Sequence, residues 1–225
     1  MLVPSVKWRA FLALAVCLLA LGGAELCAGT DPTIRLTWAV MYRGTDGVVR
    51  AIDYRLPVVR LAGGDHFRII MRPESPCFCY VLLRDAQKKL ALLFPAEPRF
   101  PSTPLQSDAT CSLPDGERWY RLDEDGGIEV FYLILSDHRL KALEASVAAY
   151  RAHEFDQGDD RVDTFKQAVL DEIRRLVVET SPLAEAARKP LAVAGDFRGI
   201  SAEAAFPGIA VLARSVYVRT IRLRH

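Results

Sequence analysis

The side chains that could do chemistry are two histidines, three cysteines and one carboxylate. They are His66, His138, Cys77, Cys79, Cys111 and Asp65. A cysteine nucleophile with a histidine as its base, or a metal bound by these groups, would make the protein a hydrolase or a metal-dependent enzyme. No recognisable motif spacing brings a thiol and an imidazole together. The sequence therefore predicts a non-enzymatic protein without a cofactor and leaves the enzyme as the alternative.

The cysteines allow two further interpretations. Cys77 and Cys79 are two residues apart on one predicted strand, so both thiols point to the same face and bond to each other only with strain. Cys111 is then the expected disulfide partner of Cys77 or Cys79. A zinc site would combine the three thiols with a histidine such as His66. Structural zinc sites usually have two residues between paired cysteines, so the single intervening residue here favours the prediction of no metal.

Residues 1–28 have the pattern of a secretory signal peptide. A short cationic segment precedes an uninterrupted apolar run over residues 11–21, and small residues follow it. Cleavage is expected after Ala24 or Ala28. The apolar run is shorter than the roughly 20 residues of a membrane-spanning helix, which argues against a retained anchor. The sequence thus predicts export to the periplasm or the extracellular space, with no membrane segment after cleavage.

Composition and charge exclude several classes of protein. The chain has 225 residues and 51% of them are hydrophobic, which is enough to bury a sizeable core and excludes general disorder. The 29 basic and 28 acidic residues leave a formal charge of +1. A nearly neutral chain has no overall field that attracts nucleic acid, so no nucleic-acid partner is predicted.

Period-two hydrophobic patterns predict strands throughout residues 33–136. Phe67, Ile69 and Met71 alternate with more polar residues, and residues 77–83 are apolar on both faces, as in a strand covered on two sides. Further strands are predicted at residues 33–41, 48–56, 90–94, 119–123 and 128–135. This region is expected to form an antiparallel β-sandwich-like domain. Its predicted centre is the neighbourhood of Phe78, Tyr80 and Leu92.

The hydrophobic period lengthens to that of helices over residues 137–180. One amphipathic helix is predicted to end near His153, and a second to run from about Val162 to a point before Pro182. Each has one apolar stripe and an outer face of mixed charge, which is typical of helices packed on a globular core. This region is interpreted as a helical pair belonging to the same domain.

Residues 181–225 are expected to complete that domain. The segment from Leu183 to Gly208 is rich in alanine and glycine and is predicted to be a loop that crosses the sheet. Val216 to Arg224 alternates apolar and basic residues and is predicted to be a final strand. The fold class is therefore mainly β with two helices (α+β), with the helical pair inserted before a C-terminal strand.

Several segments of the strand region resemble the bacterial domain-of-unknown-function family 4384. They are residues 64–68, 76–82, 89–95, 120–122 and 127–136. The resemblance spans Leu56 to Ser136, about a third of the chain, and departs from the family where Asp85 to Lys88 replaces an Asp-Gly-rich turn. It implies a mostly β domain of the kind found in exported bacterial proteins and appended to caspase-like peptidases and protein kinases. No catalytic residues are established for that family, so it assigns none here.

Export, a strand-rich core and the lack of a nucleophile-base motif together predict a binding or accessory module of the bacterial cell envelope. Its expected partner is an envelope protein or a glycan. The sequence leaves the oligomeric state open.

Overall fold

A computed structural model describes residues 33–95, 100, 102–155, 160–180, 182–192 and 205–225. The predicted signal peptide over residues 1–28 lies outside these ranges. Within them, no helix is both long enough and apolar enough to cross a membrane.

Twelve strands form two sheets in the described part of the chain. They are β1 (Ile34–Arg43), β2 (Val49–Ala51), β3 (Val59–Arg60), β4 (His66–Pro73), β5 (Phe78–Arg84), β6 (Leu90–Phe94), β7 (Cys111–Leu113), β8 (Tyr120–Arg121), β9 (Ile128–Ser136), β10 (Pro182–Ala192), β11 (Ala205–Ala213) and β12 (Val216–Arg224). The first sheet has the order β10-β11-β1-β4-β7, with β2 paired to β1 and β8 paired to β4. The second has the order β3-β12-β9-β5-β6. All pairs are antiparallel except β3 with β12.

The two sheets face each other across one large hydrophobic cluster. Alternate residues of β1, such as Leu36 and Trp38, meet alternate residues of β9, such as Phe131 and Leu133, and all four are at most 1% exposed. The period-two pattern of these strands places one set of side chains in this layer and the other set on the outer faces. The predicted fold class, mainly β with two helices, is confirmed.

Two helices cover the outer face of the second sheet. They are α1 (Lys141–His153) and α2 (Asp160–Glu179), and their apolar stripes pack on the outward residues of β5 and β9. Phe78, Tyr80 and Leu92 belong to this sheet-helix layer, and not to the layer between the sheets. The prediction that they lie at the centre of the sandwich is therefore wrong. In β5 the odd-numbered residues, such as Cys79 and Val81, face the other sheet, and the even-numbered ones face the helices.

The end of the chain differs from the sequence prediction. The segment from Leu183 to Gly208, expected to be a loop, includes most of β10 and the start of β11, which pair with each other. β11 also pairs with β1, so the helical pair precedes three strands and not one. Alanine, glycine and proline are poor strand formers, so local propensity did not indicate these strands, and pairing with β1 determines them.

Candidate functional site

A mostly apolar cleft lies beside the strands that end the two sheets on one side of the sandwich. Its volume is about 730 Å³. The walls come from β5 and β6 of the second sheet and from β7, β8 and their connections in the first. The main apolar lining residues are Phe78, Leu93, Phe94, Leu105, Leu113 and Tyr120. A cleft of this size and character is typical of a binding site.

The crossover from β6 to β7 builds one boundary of the cleft. After Phe94 the chain passes from the second sheet to the first, and Leu105 forms an isolated antiparallel bridge with Cys77 on the way. The Leu105 amide donates to the Cys77 carbonyl at 2.8 Å, and the Cys77 amide donates to the Leu105 carbonyl at 3.1 Å. This double hydrogen bond fixes the crossover against the start of β5, so the cleft is bounded by a fixed backbone on that side.

Few polar groups line the cleft. Asp115 and Arg118 are exposed, and the Arg118 Nε donates to the Asp115 carbonyl at 3.2 Å. Ser112 Oγ accepts from Arg68 at 2.8 Å and donates to the Pro114 carbonyl at 3.2 Å, so its hydrogen-bonding capacity is largely used within the protein. The cleft can therefore accept an apolar group and orient it through a small number of polar contacts.

Two of the predicted cysteines, Cys79 and Cys111, line this cleft. All three cysteines of the described chain are free, so the expected disulfide of Cys111 with Cys77 or Cys79 is not formed. Cys77 immediately precedes β5 of the second sheet and Cys79 belongs to it, whereas Cys111 lies opposite Met71 in the first sheet. The Cys79 sulfur lies 3.5 Å from the Met71 sulfur. Cys79 thus faces the first sheet at Met71, the strand partner of Cys111, and no disulfide joins the two cysteines there.

Burial keeps the three thiols protonated near neutral pH. It raises the pKa of Cys77 and of Cys111 to about 11, and it raises that of Cys79 well above its ordinary value, with smaller contributions from the other two cysteines. The thiolate is the reactive form of cysteine. These environments therefore oppose nucleophilic attack by any of the three.

The rate of alkylation measures the reactivity of the three thiols directly. In the native protein at pH 7.5, Cys111 is expected to react with iodoacetamide roughly 100-fold more slowly than a small free thiol, because its thiolate fraction is reduced. Cys77 and Cys79 should react more slowly still, because they are buried and the reagent does not reach them in the folded protein. The control is the unfolded protein in urea, in which all three should react quickly. If alkylation of unfolded protein required prior reduction at Cys111 and one other cysteine, the free-thiol arrangement would be wrong.

The predicted histidines lie apart from the thiols. His66 starts β4 of the first sheet, opposite Arg43 and Arg121. His138 follows the end of β9 in the second sheet, where its Nδ1 lies 2.6 Å from the Asp137 carboxylate and 3.3 Å from Ser136 Oγ. Neither imidazole shares a hydrogen bond with a cysteine among the described residues. The structure thus does not assemble the nucleophile and base of the enzyme alternative.

The carboxylate predicted beside His66 has a structural role. Asp65 is 6% exposed, and its Oδ2 accepts from the Ala62 amide at 2.9 Å in the turn that leads into β4. Over the ranges that the structure covers, no group of three or more histidine, cysteine, aspartate or glutamate side chains could hold a metal ion. The zinc interpretation with Cys77, Cys79, Cys111 and His66 therefore has no matching geometry there.

Sequence reasoning did not identify the cleft. Tyr120 and Leu113 belong to strands of two and three residues, and such short strands show no period. The apolar residues at the end of β6 were the one available signal, because an apolar end strand is unusual on an exposed sheet edge.

Fold and cleft together define a β-sandwich with a helical layer on one face and a mostly apolar cleft beside one pair of sheet edges. No family model, no curated protein and no solved structure matches the chain. The resemblance to family 4384 therefore stays a prediction.

Proposed function

We propose that this protein is an exported, non-enzymatic binding module of the bacterial cell envelope. Its ligand is an extended peptide segment of another envelope protein, which pairs with β6 and places an apolar side chain in the cleft. The observation that carries this proposal is the presence of an apolar cleft of about 730 Å³ beside a sheet-end strand.

The edge of β6 supports a peptide ligand. β6 pairs with β5 on one side, and no strand of the described chain pairs with its other side. An end strand presents backbone N–H and C=O groups that an added strand can bind, with specificity supplied by pockets for alternate side chains. Leu93 belongs to β6 and lines the cleft. A peptide added here would therefore have its side chains next to a pocket that accepts them.

The lining of the cleft favours a peptide over a glycan. Sugar rings need many hydrogen-bond partners, and a buried polar group without a partner costs binding energy. The walls are mostly leucine, phenylalanine and proline, and Ser112 is already bonded within the protein. An aliphatic or aromatic side chain needs no such partners and gains from leaving water.

The export part of the proposal rests on the leader pattern over residues 1–28 and on the resemblance to family 4384. The N-terminal residue of protein recovered from the periplasm of an expressing bacterium tests it. A mature chain that begins after Ala24 or Ala28 agrees with the proposal, and a retained Met1 contradicts it.

The binding test uses random seven-residue peptides displayed on phage and selected against the mature protein. Selected peptides are expected to share an apolar residue at a fixed position. Once synthesised, they should slow hydrogen exchange at the backbone amides of β6. Leu93→Arg should weaken their binding by at least about tenfold, because a charge in the apolar cleft must be desolvated.

The matched control is Val178→Arg. Val178 is 85% exposed on α2, so this variant adds the same charge to the protein without entering the cleft. It should bind the selected peptides as tightly as the unmodified protein. Equal loss in both variants, or exchange that slows elsewhere and not in β6, would reject the proposed site.

A further inference from the structure

The outer face of the first sheet carries a row of basic side chains that the proposed peptide site does not use. Strand register places Arg43 of β1 directly opposite His66 of β4, and His66 directly opposite Arg121 of β8. Directly opposed residues on neighbouring strands have Cβ atoms about 5 Å apart. Three basic groups on three adjacent strands therefore lie side by side.

Further along this face, a basic group is paired with an acid. Arg72 lies 3.5 Å from the Asp108 carboxylate. The row formed by Arg43, His66 and Arg121 has fewer acidic partners. Arg121 is paired with Glu124 at 3.3 Å, but their side chains are 62% and 81% exposed, so the pair is easily exchanged for another anion. Arg43 has no ion pair among the described residues.

Trp119 positions the Arg43 guanidinium. The Cζ atom of Arg43 lies 5.1 Å from the centre of the Trp119 ring, and that of Arg68 lies 5.4 Å from it. Arg68 is itself held by Ser112 Oγ at 2.8 Å and by the Gly116 carbonyl at 2.6 Å. Contact with an aromatic face orients a guanidinium while leaving its N–H groups able to donate in the ring plane.

The charges around His66 disfavour its protonation. Burial, then Arg43 from β1 and Arg121 from β8, lower the pKa of His66, and only the neighbouring Asp65 opposes them. Like charges directly opposite each other in a sheet are destabilising. An anion between the three side chains would remove that repulsion and would favour protonated His66.

We propose that Arg43, His66 and Arg121 form a binding site for a tetrahedral oxyanion, the phosphate or sulfate group of a ligand. Two guanidinium groups and an imidazole occupy directly opposed positions on three adjacent strands, so an anion bound by all three needs at least three acceptor oxygens around one centre. Phosphate and sulfate have them, whereas a carboxylate has two oxygens in one plane. Arg43, oriented by Trp119, is the pre-ordered donor of the site.

Inorganic sulfate is the first probe, because it does not titrate between pH 5 and pH 8. Histidine NMR of the mature protein is expected to show that sulfate raises the pKa of His66 by about one unit at constant ionic strength. The imidazoles of His138 and His153 serve as internal references and should not move. Arg43→Gln should weaken sulfate binding by about tenfold, because a hydrogen bond to a charged group is lost.

The control variant is Arg35→Gln. Arg35 is an exposed basic residue of the same strand and the same outer face, but lies at the other end of β1, opposite Leu212 of β11. Arg35→Gln should bind sulfate like the unmodified protein. An equal loss in both variants, or an equal pKa change with acetate in place of sulfate, would show only a general effect of charge and would overturn the proposal.

The source of the anion is distinguished with glycerol 3-phosphate and inorganic phosphate at pH 6. Tighter binding of glycerol 3-phosphate indicates a phosphate group carried by an organic molecule, and equal binding indicates a free ion. Both results support the site. If neither compound binds, the proposal is wrong.

Discussion

Replacing Phe131 by alanine is expected to lower the free energy of unfolding by about 3–5 kcal/mol, the usual cost of removing a fully buried aromatic ring. Phe131 lies in β9, between β12 and β5 in the second sheet, and is 1% exposed. Its ring centre is 5.1 Å from that of Phe67 in the first sheet, with the ring planes at 74°. The substitution would remove an edge-to-face contact between the two sheets and leave a cavity in the layer that joins them.

Chemical denaturation of the mature protein with urea measures the effect, and the chain provides a control of the same type. Phe155 is 85% exposed, so Phe155→Ala should change the free energy of unfolding by less than about 0.5 kcal/mol. Phe131→Leu should fall between the two, since part of the buried volume is kept. Similar midpoints for Phe131→Ala and Phe155→Ala would mean that the two sheets do not pack through Phe131.

Strands with a strong local pattern could be predicted from the sequence. β4 alternates apolar and polar residues, and β9 has the apolar density of a strand covered on both faces. The two helices also follow from local signals, because α1 and α2 each repeat apolar residues at helical spacing. These elements could be predicted because the side chains that each of them buries lie close together in the sequence and form a local pattern.

Features that depend on pairing between distant segments could not be predicted. β10 and β11 have weak strand propensity and form because β11 pairs with β1, more than 150 residues earlier in the chain. Cys111 and Cys79 are in different sheets, and nothing in their spacing reveals this. The same holds for the basic row, because His66 meets Arg121 only through the register of β4 with β8. Local sequence patterns therefore cannot predict a candidate site whose residues come from several strands.

Replacing Glu144 by alanine is expected to lower the free energy of unfolding by about 2–4 kcal/mol at pH 7. Glu144 of α1 is 6% exposed, and its Oε1 accepts from the Tyr80 hydroxyl at 2.7 Å. Arg139 donates to both carboxylate oxygens, at 3.2 and 2.5 Å. The Tyr80 hydroxyl also accepts from the Leu140 amide at 3.2 Å. Alanine would leave the Tyr80 hydroxyl, buried between sheet and helix, without its acceptor.

The control for Glu144→Ala is Glu179→Ala. Glu179 also pairs with an arginine, Arg175, but the two side chains are each 48% exposed on α2. An exposed ion pair contributes about 0–1 kcal/mol, so this variant should be nearly as stable as the unmodified protein. The double variant Tyr80→Phe/Glu144→Ala should lose less free energy of unfolding than the two single variants lose in total, because both substitutions remove the same hydrogen bond.

The effect of Glu144→Ala should also depend on pH. Burial raises the pKa of Glu144, but the hydrogen bonds from Arg139 and Tyr80 outweigh it, so the pKa is lower than its ordinary value of 4.5. A carboxylate with a lowered pKa in the folded state stabilises the fold above its unfolded pKa and loses that contribution as pH falls through the folded value. The stability difference between Glu144→Ala and the unmodified protein should therefore be constant from pH 7 to about pH 5 and narrow below pH 4.5. Urea denaturation at each pH measures it, and a difference that stays constant down to pH 3 would show that Glu144 is not held as a carboxylate by Arg139 and Tyr80.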